Sequence, residues 1–137
     1  MNRAGMPNGS YMAKVVTLIE DNLDLRIAFK QVLTHAGYEV RTAADGEQGL
    51  SLVRQSHPDV IVLDILLPKV SGLEVLRLLK SDAATARIPV LVLSSLPQSN
   101  EEKLRLEGAA SYLVKSNLTD GTALIWAVER VLASRPK

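Results

Sequence analysis

Short runs of aliphatic residues alternate with longer stretches of helical spacing along this chain. The apolar runs lie at 15–19, 38–43, 60–63, 90–93 and 111–114. After each run, apolar residues recur three or four positions apart, which predicts helices within 25–36, 46–54, 73–80, 101–107 and 120–133. Runs that are continuously apolar indicate strands covered on both faces. The repeated strand–helix order predicts an α/β fold, a doubly wound five-stranded parallel sheet flanked by five helices.

Composition limits the classes of protein that this chain can belong to. The chain has 137 residues, a formal net charge of +1, 47% hydrophobic residues and no cysteine. This length holds one ordinary domain, which we expect at 14–134 between a flexible tail at 1–13 and a short tail at 135–137. The aliphatic content excludes intrinsic disorder, and the near-zero charge gives no reason to expect nucleic acid or an anionic membrane as a partner. The lack of cysteine excludes a disulfide framework and is compatible with the cytoplasm, where we expect the protein.

Polar residues follow directly on four of the five predicted strands. In chain order they are Glu20 and Asp21, Asp64, Ser94 and Ser95, and Lys115. The carboxyl ends of parallel strands meet at one edge of a sheet, where ligands bind in open α/β folds. We therefore expect these side chains to lie together.

The chemistry at this edge favours phosphoryl transfer. Three neighbouring carboxylates repel one another unless positive charge lies among them. Lys115 supplies one charge, and Mg²⁺, which prefers oxygen ligands, is the simplest source of the rest. An aspartate can act as a nucleophile and become an aspartyl phosphate, so Asp64 is the candidate acceptor, with Ser94 and Lys115 as partners for phosphoryl oxygens. A single strand-end aspartate is more often a cap, so the prediction depends on the combination.

Several other sites are excluded by motif. The sequence has no Gly-x4-Gly-Lys-Ser/Thr, no Gly-x-Gly-x-x-Gly after the first strand and no Gly-x-Ser-x-Gly. The two histidines, His35 and His57, are expected at surface or capping positions. A hydrolase that forms an aspartyl phosphate would need further acidic residues after its nucleophile, whereas Ile65-Leu66-Leu67 follow Asp64.

Trp126 falls outside the apolar stripe of the last predicted helix. That stripe contains Leu124, Val128, Val131 and Leu132, and Trp126 lies beside Glu129 and Arg130 at 100° per residue. An exposed tryptophan can anchor a protein partner or a second copy of the chain. The alternative is that a loop or the N-terminal tail covers it.

In this order and spacing, the strand-end residues resemble the receiver domain of two-component response regulators. The resemblance covers an acidic pair after the first strand, an Asp-x-x-x-Pro signature followed by glycine, a hydroxyl residue followed by a small one, and a lysine after the fifth strand. The matching residues are Glu20, Asp21, Asp64, Pro68, Gly72, Ser94, Ser95 and Lys115. It extends over 14–134 and is strongest to single-domain, chemotaxis-type receivers, which have a flavodoxin-like fold.

The resemblance implies a role for each residue. The implied Mg²⁺ ligands are Glu20, Asp21, Asp64 and the backbone carbonyl of Leu66. The implied phosphoryl-binding and switch residues are Ser94, Ser95, Lys115 and Tyr112. Asp64 would take a phosphoryl group from a phosphohistidine on a sensor histidine kinase or a histidine phosphotransfer protein. Ser94 and Tyr112 would then move inward and alter the surface of helix four, strand five and helix five, which binds a downstream protein target.

This sequence departs from the usual receiver pattern at one position, and it is compatible with one alternative function. Ser116 stands where the family usually has a proline after the lysine, and we expect a trans peptide bond there because a cis bond before a non-proline residue is costly. A pseudo-receiver, a protein-interaction module that works without phosphorylation, is the alternative function. A receiver is a signalling switch that catalyses only its own phosphorylation and dephosphorylation.

Overall fold

A computed structural model describes residues 13–95, 101–118 and 120–134. The strands are β1 (Val15–Ile19), β2 (Glu39–Ala43), β3 (Val60–Asp64), β4 (Val90–Ser94) and β5 (Ser111–Val114). The helices are α1 (Leu23–His35), α2 (Gly46–Ser56), α3 (Gly72–Ser81), α4 (Glu101–Leu106) and α5 (Thr122–Ala133), with a short 3-10 turn at Lys115–Asn117. The predicted alternation is confirmed. The N-terminal tail up to residue 12 and residues 135–137 lie outside the described residues.

All five strands are parallel, in the order β2-β1-β3-β4-β5. Strand order reverses between β1 and β3, which is the topological switch point of a flavodoxin-like sheet. The register pairs Ile19 with Leu63 and Asp64 with Leu93, so the polar residues after these strands reach the same edge. The polar side chains that follow these strands therefore lie along this edge of the sheet.

The sheet separates two apolar layers. Alternate residues of a strand point to opposite faces, so Leu18 packs with α1 and α5, whereas Ile19 packs with α2 and α3. All residues of β3 and of β4 are buried, as expected for central strands. The expectation of continuous apolar character is wrong for β2: it is an edge strand, and its Glu39 and Arg41 are exposed and form an ion pair with a 2.6 Å N–O distance.

Side-chain caps fix where three helices begin beside the carboxyl edge. Asn22 accepts a hydrogen bond from the Leu25 N–H (3.0 Å) and caps α1. Asp45 and Ser71 cap α2 and α3 in the same way. Each cap satisfies an N–H group at a helix start and so defines the residue at which that helix begins.

The two histidines and the peptide bond after Lys115 are found as the sequence predicts. His35 is exposed at the end of α1, and His57 caps the C-terminus of α2 in a left-handed conformation (φ 46°) that histidine tolerates better than most residues. The Lys115–Ser116 peptide bond is trans, as are the others within the described residues. Asn100, which directly precedes α4 and is a residue type that caps helices, lies outside the described residues. None of the helices described has the length and apolar character needed to cross a membrane.

Candidate functional site

Three carboxylates and one ammonium group converge at the carboxyl edge of the sheet. Glu20 and Asp21 follow β1, and Asp64 ends β3; one oxygen from each lies within 4.8 Å of the others. Lys115, directly after β5, places its Nζ 2.8 Å from Glu20 Oε1 and 3.0 Å from Asp64 Oδ2. These four predicted residues are therefore neighbours in space, although Lys115 is 51 positions from Asp64.

The carboxylates differ in their exposure to water. Glu20 is fully buried and Asp64 is 2% exposed, whereas Asp21 is exposed. Burial raises the pKa of Glu20 to about 7; the Lys115 ammonium and the Asn22 N–H oppose the shift, and the nearby Asp64 adds to it. Burial by itself would lower the pKa of Lys115, but its contacts with Glu20 and Asp64 together raise it above its usual value. The site therefore holds more negative charge than Lys115 alone balances.

The arrangement fits a small divalent cation. Glu20 Oε1 is buried, and its ion-pair partner is the Lys115 ammonium at 2.8 Å. One ammonium group among three carboxylates leaves negative charge that a divalent cation would balance. The Leu66 N–H donates to Asp64 Oδ1 at 3.1 Å, which brings the backbone of residue 66 beside the cluster. Only oxygen ligands are offered here, as Mg²⁺ prefers.

The hydroxyl residues lie on the neighbouring strand. Ser94 is fully buried at the end of β4, one residue past Leu93, the partner of Asp64 in the ladder. Ser95 follows and is exposed. The Ile65 N–H donates to the Leu93 carbonyl at 3.0 Å, which continues the pairing of β3 with β4 beyond Asp64. Ser94 is therefore placed at the same edge as the acidic cluster.

Tyr112 lies on β5 and Trp126 lies on α5, and neither belongs to the acidic cluster. Tyr112 is 9% exposed and packs in the same apolar layer as Val92 and Leu104. Trp126 is 60% exposed on α5, with the Arg130 guanidinium 4.9 Å from its ring centroid. Both side chains line a surface groove of about 790 Å³ between α4, β5 and α5. Within the described residues Trp126 is exposed, which is one of the two outcomes that the sequence leaves open.

Two contacts that the sequence patterns did not reveal support the loops around the cluster. Arg26 Nη1 donates to the backbone carbonyls of Glu20 (2.9 Å) and Asp21 (3.3 Å). Lys69, in a left-handed conformation (φ 65°), places its Nζ 3.5 Å from Oδ2 of the buried Asp45. Contact with Gln48 and Lys69 lowers the pKa of Asp45, so this pair stays charged. The sequence indicates this role of Arg26 only by its position four residues after the α1 cap, because a side chain at that position of a helix points back toward the helix N-terminus.

The shifted pKa of Glu20 predicts how stability depends on pH. A carboxyl group with a raised folded-state pKa binds more protons when folded, so its contribution to stability is lost as pH rises from 4.5 to about 7. We expect the unfolding free energy of the metal-free protein to fall by about 2 kcal/mol over this range. Urea denaturation at several pH values measures it, with Glu20→Gln as the control. An equal slope in Glu20→Gln would contradict the assignment to Glu20.

Comparisons of sequence show which family this chain resembles. The sequence model described as the response regulator receiver domain matches residues 16–125. The polar-differentiation response regulator DivK of Brucella ovis is 39% identical over 106 residues, which are 76% of this chain and 85% of that protein. DivK of Brucella anthropi is 38% identical over 106 residues, with the same coverage.

Solved structures show the same fold. The chemotaxis response regulator CheY4 of Vibrio cholerae matches with a TM-score of 0.81 and 27% identity, over 88% of this chain and 99% of that chain. The receiver domain of the Francisella response regulator 1452 matches with a TM-score of 0.80 and 26% identity, over 88% of this chain and 97% of that chain. The chain belongs to the response regulator receiver family of two-component signalling proteins.

Proposed function

We propose that this receiver is a phosphoacceptor switch in which Asp64 takes a phosphoryl group from a phosphohistidine. The donor is a sensor histidine kinase or a histidine phosphotransfer protein, and the switch, contained in 14–134, acts in the cytoplasm. The observation that carries the proposal is the contact of Lys115 with both Glu20 Oε1 and Asp64 Oδ2 within a cluster of three carboxylates. A dead site would not need to keep these buried charges, because burying them is costly.

The proposed metal ligands are Glu20, Asp21, Asp64 and the Leu66 carbonyl. Mg²⁺ bound there would supply positive charge for the phosphoryl oxygens. Asp64 is positioned by the Leu66 N–H at Oδ1 and by Lys115 at Oδ2. A carboxylate oxygen of Asp64 forms the new bond to phosphorus, while the phosphorus–nitrogen bond to the histidine breaks and its electron pair stays on the imidazole.

The proposed response to phosphorylation runs from Ser94 to the groove. Ser94, next to Ser95, donates its hydroxyl to a phosphoryl oxygen, and Lys115 pairs with another. Tyr112, which is already buried in this structure, shifts its packing together with Ser94. Because Tyr112 lines the groove as well as the apolar layer, its movement alters the α4–β5–α5 surface. A local change of charge at Asp64 would in this way reach a surface that another protein can bind.

Phosphorylation of the whole chain tests the proposal. We expect a gain of one phosphoryl group, seen by intact mass, after incubation with Mg²⁺ and acetyl phosphate or with a phosphorylated histidine phosphotransfer protein. Addition of EDTA should prevent the gain. No gain with any donor would favour the alternative, a pseudo-receiver that binds partners without phosphorylation.

Trp126 provides a reporter and a candidate anchor on the switch surface. It is the one tryptophan in the sequence and is exposed, so its emission reports the groove alone. We expect its emission to change on phosphorylation in wild-type protein and to stay constant in Asp64→Asn. Constant emission in phosphorylated wild-type protein would contradict a switch at this surface.

Trp126 is also proposed as a contact for a downstream protein or for a second copy of the chain. Large exposed aromatic side chains often supply much of the binding energy of an interface. Trp126→Ala that left partner binding and the sedimentation coefficient of the phosphorylated protein unchanged would count against this role.

A further inference from the structure

Arg26 is the second cation beside the acidic cluster, and it contacts the cluster in a different way from Lys115. Lys115 lies against carboxylate oxygens of Glu20 and Asp64. Arg26 instead donates from Nη1 to the main-chain carbonyls of Glu20 (2.9 Å) and Asp21 (3.3 Å). Within the described residues, Arg26 forms no ion pair with a carboxylate. Its charge therefore lies near the acidic pair while the carboxylate oxygens remain available.

The position of Arg26 on α1 explains this contact. The Arg26 N–H donates to the Asn22 carbonyl at 2.8 Å, which closes the first turn of the helix. Side chains on a helix lean toward its N-terminus, so Arg26 reaches back over the turn to residues 20 and 21. At that point β1 has ended, and the last sheet contact is the Glu20 N–H to the Ala43 carbonyl at 3.1 Å. Arg26 thus holds the backbone where the sheet ceases to hold it.

We propose that Arg26 is a positioning residue for the metal site: it fixes the backbone of Glu20 and Asp21 without occupying any carboxylate oxygen that a cation needs. This inference rests on the proposed function, because it assumes that the cluster binds Mg²⁺. Outer residues that orient metal ligands commonly influence metal affinity although they do not touch the metal. The buried Glu20 and the exposed Asp21 need opposite environments on adjacent residues, which requires a defined backbone path.

The proposal and simple electrostatics predict opposite signs. If Arg26 acted only through its charge, its removal would reduce the repulsion of a divalent cation and Mg²⁺ would bind more tightly. If Arg26 positions the two ligands, its removal weakens binding even though the site becomes more negative. The sign of the change in Mg²⁺ affinity therefore distinguishes the two roles.

The test is titration calorimetry of Mg²⁺ with the unphosphorylated full chain. We expect Arg26→Met to raise the Mg²⁺ dissociation constant by roughly tenfold. Arg26→Lys keeps the charge but replaces the planar guanidinium by a single ammonium, so a smaller increase is expected. The control is Arg41→Met, which removes the same charge from the exposed Arg41–Glu39 pair on β2, and its dissociation constant should match that of the wild type.

Each result supports or overturns the inference. Unchanged or tighter Mg²⁺ binding by Arg26→Met overturns it while leaving the proposed function intact. A lower unfolding temperature of the metal-free variant with an unchanged dissociation constant would show a merely structural role. If Arg26→Met does not fold, Arg26→Lys decides by the same measurement. No Mg²⁺ binding by the wild type would overturn the metal site itself, and the inference with it.

Discussion

Asp64→Asn should take up no phosphoryl group under conditions in which the wild-type chain is fully phosphorylated. An amide is not a nucleophile toward phosphorus, so we expect the rate of phosphorylation to fall by more than about a hundredfold. The substitution is nearly isosteric, and it removes one of three neighbouring carboxylates, at a residue that is 2% exposed. The fold should therefore persist, and Lys115 keeps its contact with Glu20.

The measurement is intact mass after incubation with Mg²⁺ and acetyl phosphate, followed by peptide mapping of any label. Asp82→Asn is the matched control, because Asp82 ends α3 at a distance from the cluster and pairs only weakly with Arg54 (3.8 Å). It should be phosphorylated as fast as the wild type. Uptake by Asp64→Asn at the wild-type rate, with the label on Glu20 or Asp21, would show that the acceptor is wrongly assigned.

Gly72→Ala should destabilise the protein by about 3 kcal/mol and slow its phosphorylation. A Cβ on Gly72 would lie 2.6 Å from the Ile65 carbonyl oxygen and closer still to the Asp64 carbonyl oxygen and Ile65 Cα. These are backbone atoms that cannot rotate away. The Gly72 N–H donates to the Ile65 carbonyl at 3.0 Å, so the start of α3 is fixed against the chain that carries the acceptor. Any relief of the clash must therefore move Asp64 or the helix.

Urea denaturation gives the stability, and intact mass gives the phosphorylation rate. Ser71→Ala is the control on the same loop: it removes the α3 cap and should cost only about 1 kcal/mol. A free energy of unfolding of Gly72→Ala within about 0.5 kcal/mol of the wild type would mean that the loop accommodates a methyl group. The close approach at Gly72 would then not be needed for stability.

Much of this site can be predicted from the sequence because it depends on local patterns. Asp64 and Lys115 each follow an apolar run, and parallel strands bring such positions to one edge. The position of β2 is predicted correctly, but its continuous apolar character is wrong, because the sequence does not show that β2 lies at the edge of the sheet with Glu39 and Arg41 exposed.

Other features of the site depend on three-dimensional geometry that the local sequence does not determine. Glu20 and Asp21 are neighbours in sequence, yet one is buried and the other exposed. Arg26 and Lys69 act through long side chains whose targets lie on other segments. Predicting such contacts requires the path of the loops, which periodicity and propensity leave undetermined.

The position of Lys115 directly after β5 makes the site depend on the edge strand of the sheet. The carboxylates of Glu20 and Asp64 are brought together by the pairing of β1 with β3, but their ammonium partner arrives only when β5 joins β4. An intermediate without β5 would hold two buried like charges without their cation, which is unfavourable. Pairing of β5 with β4 therefore supplies the ammonium group of the site and completes the sheet, so a chain in which β5 is not paired should lack competence for phosphorylation.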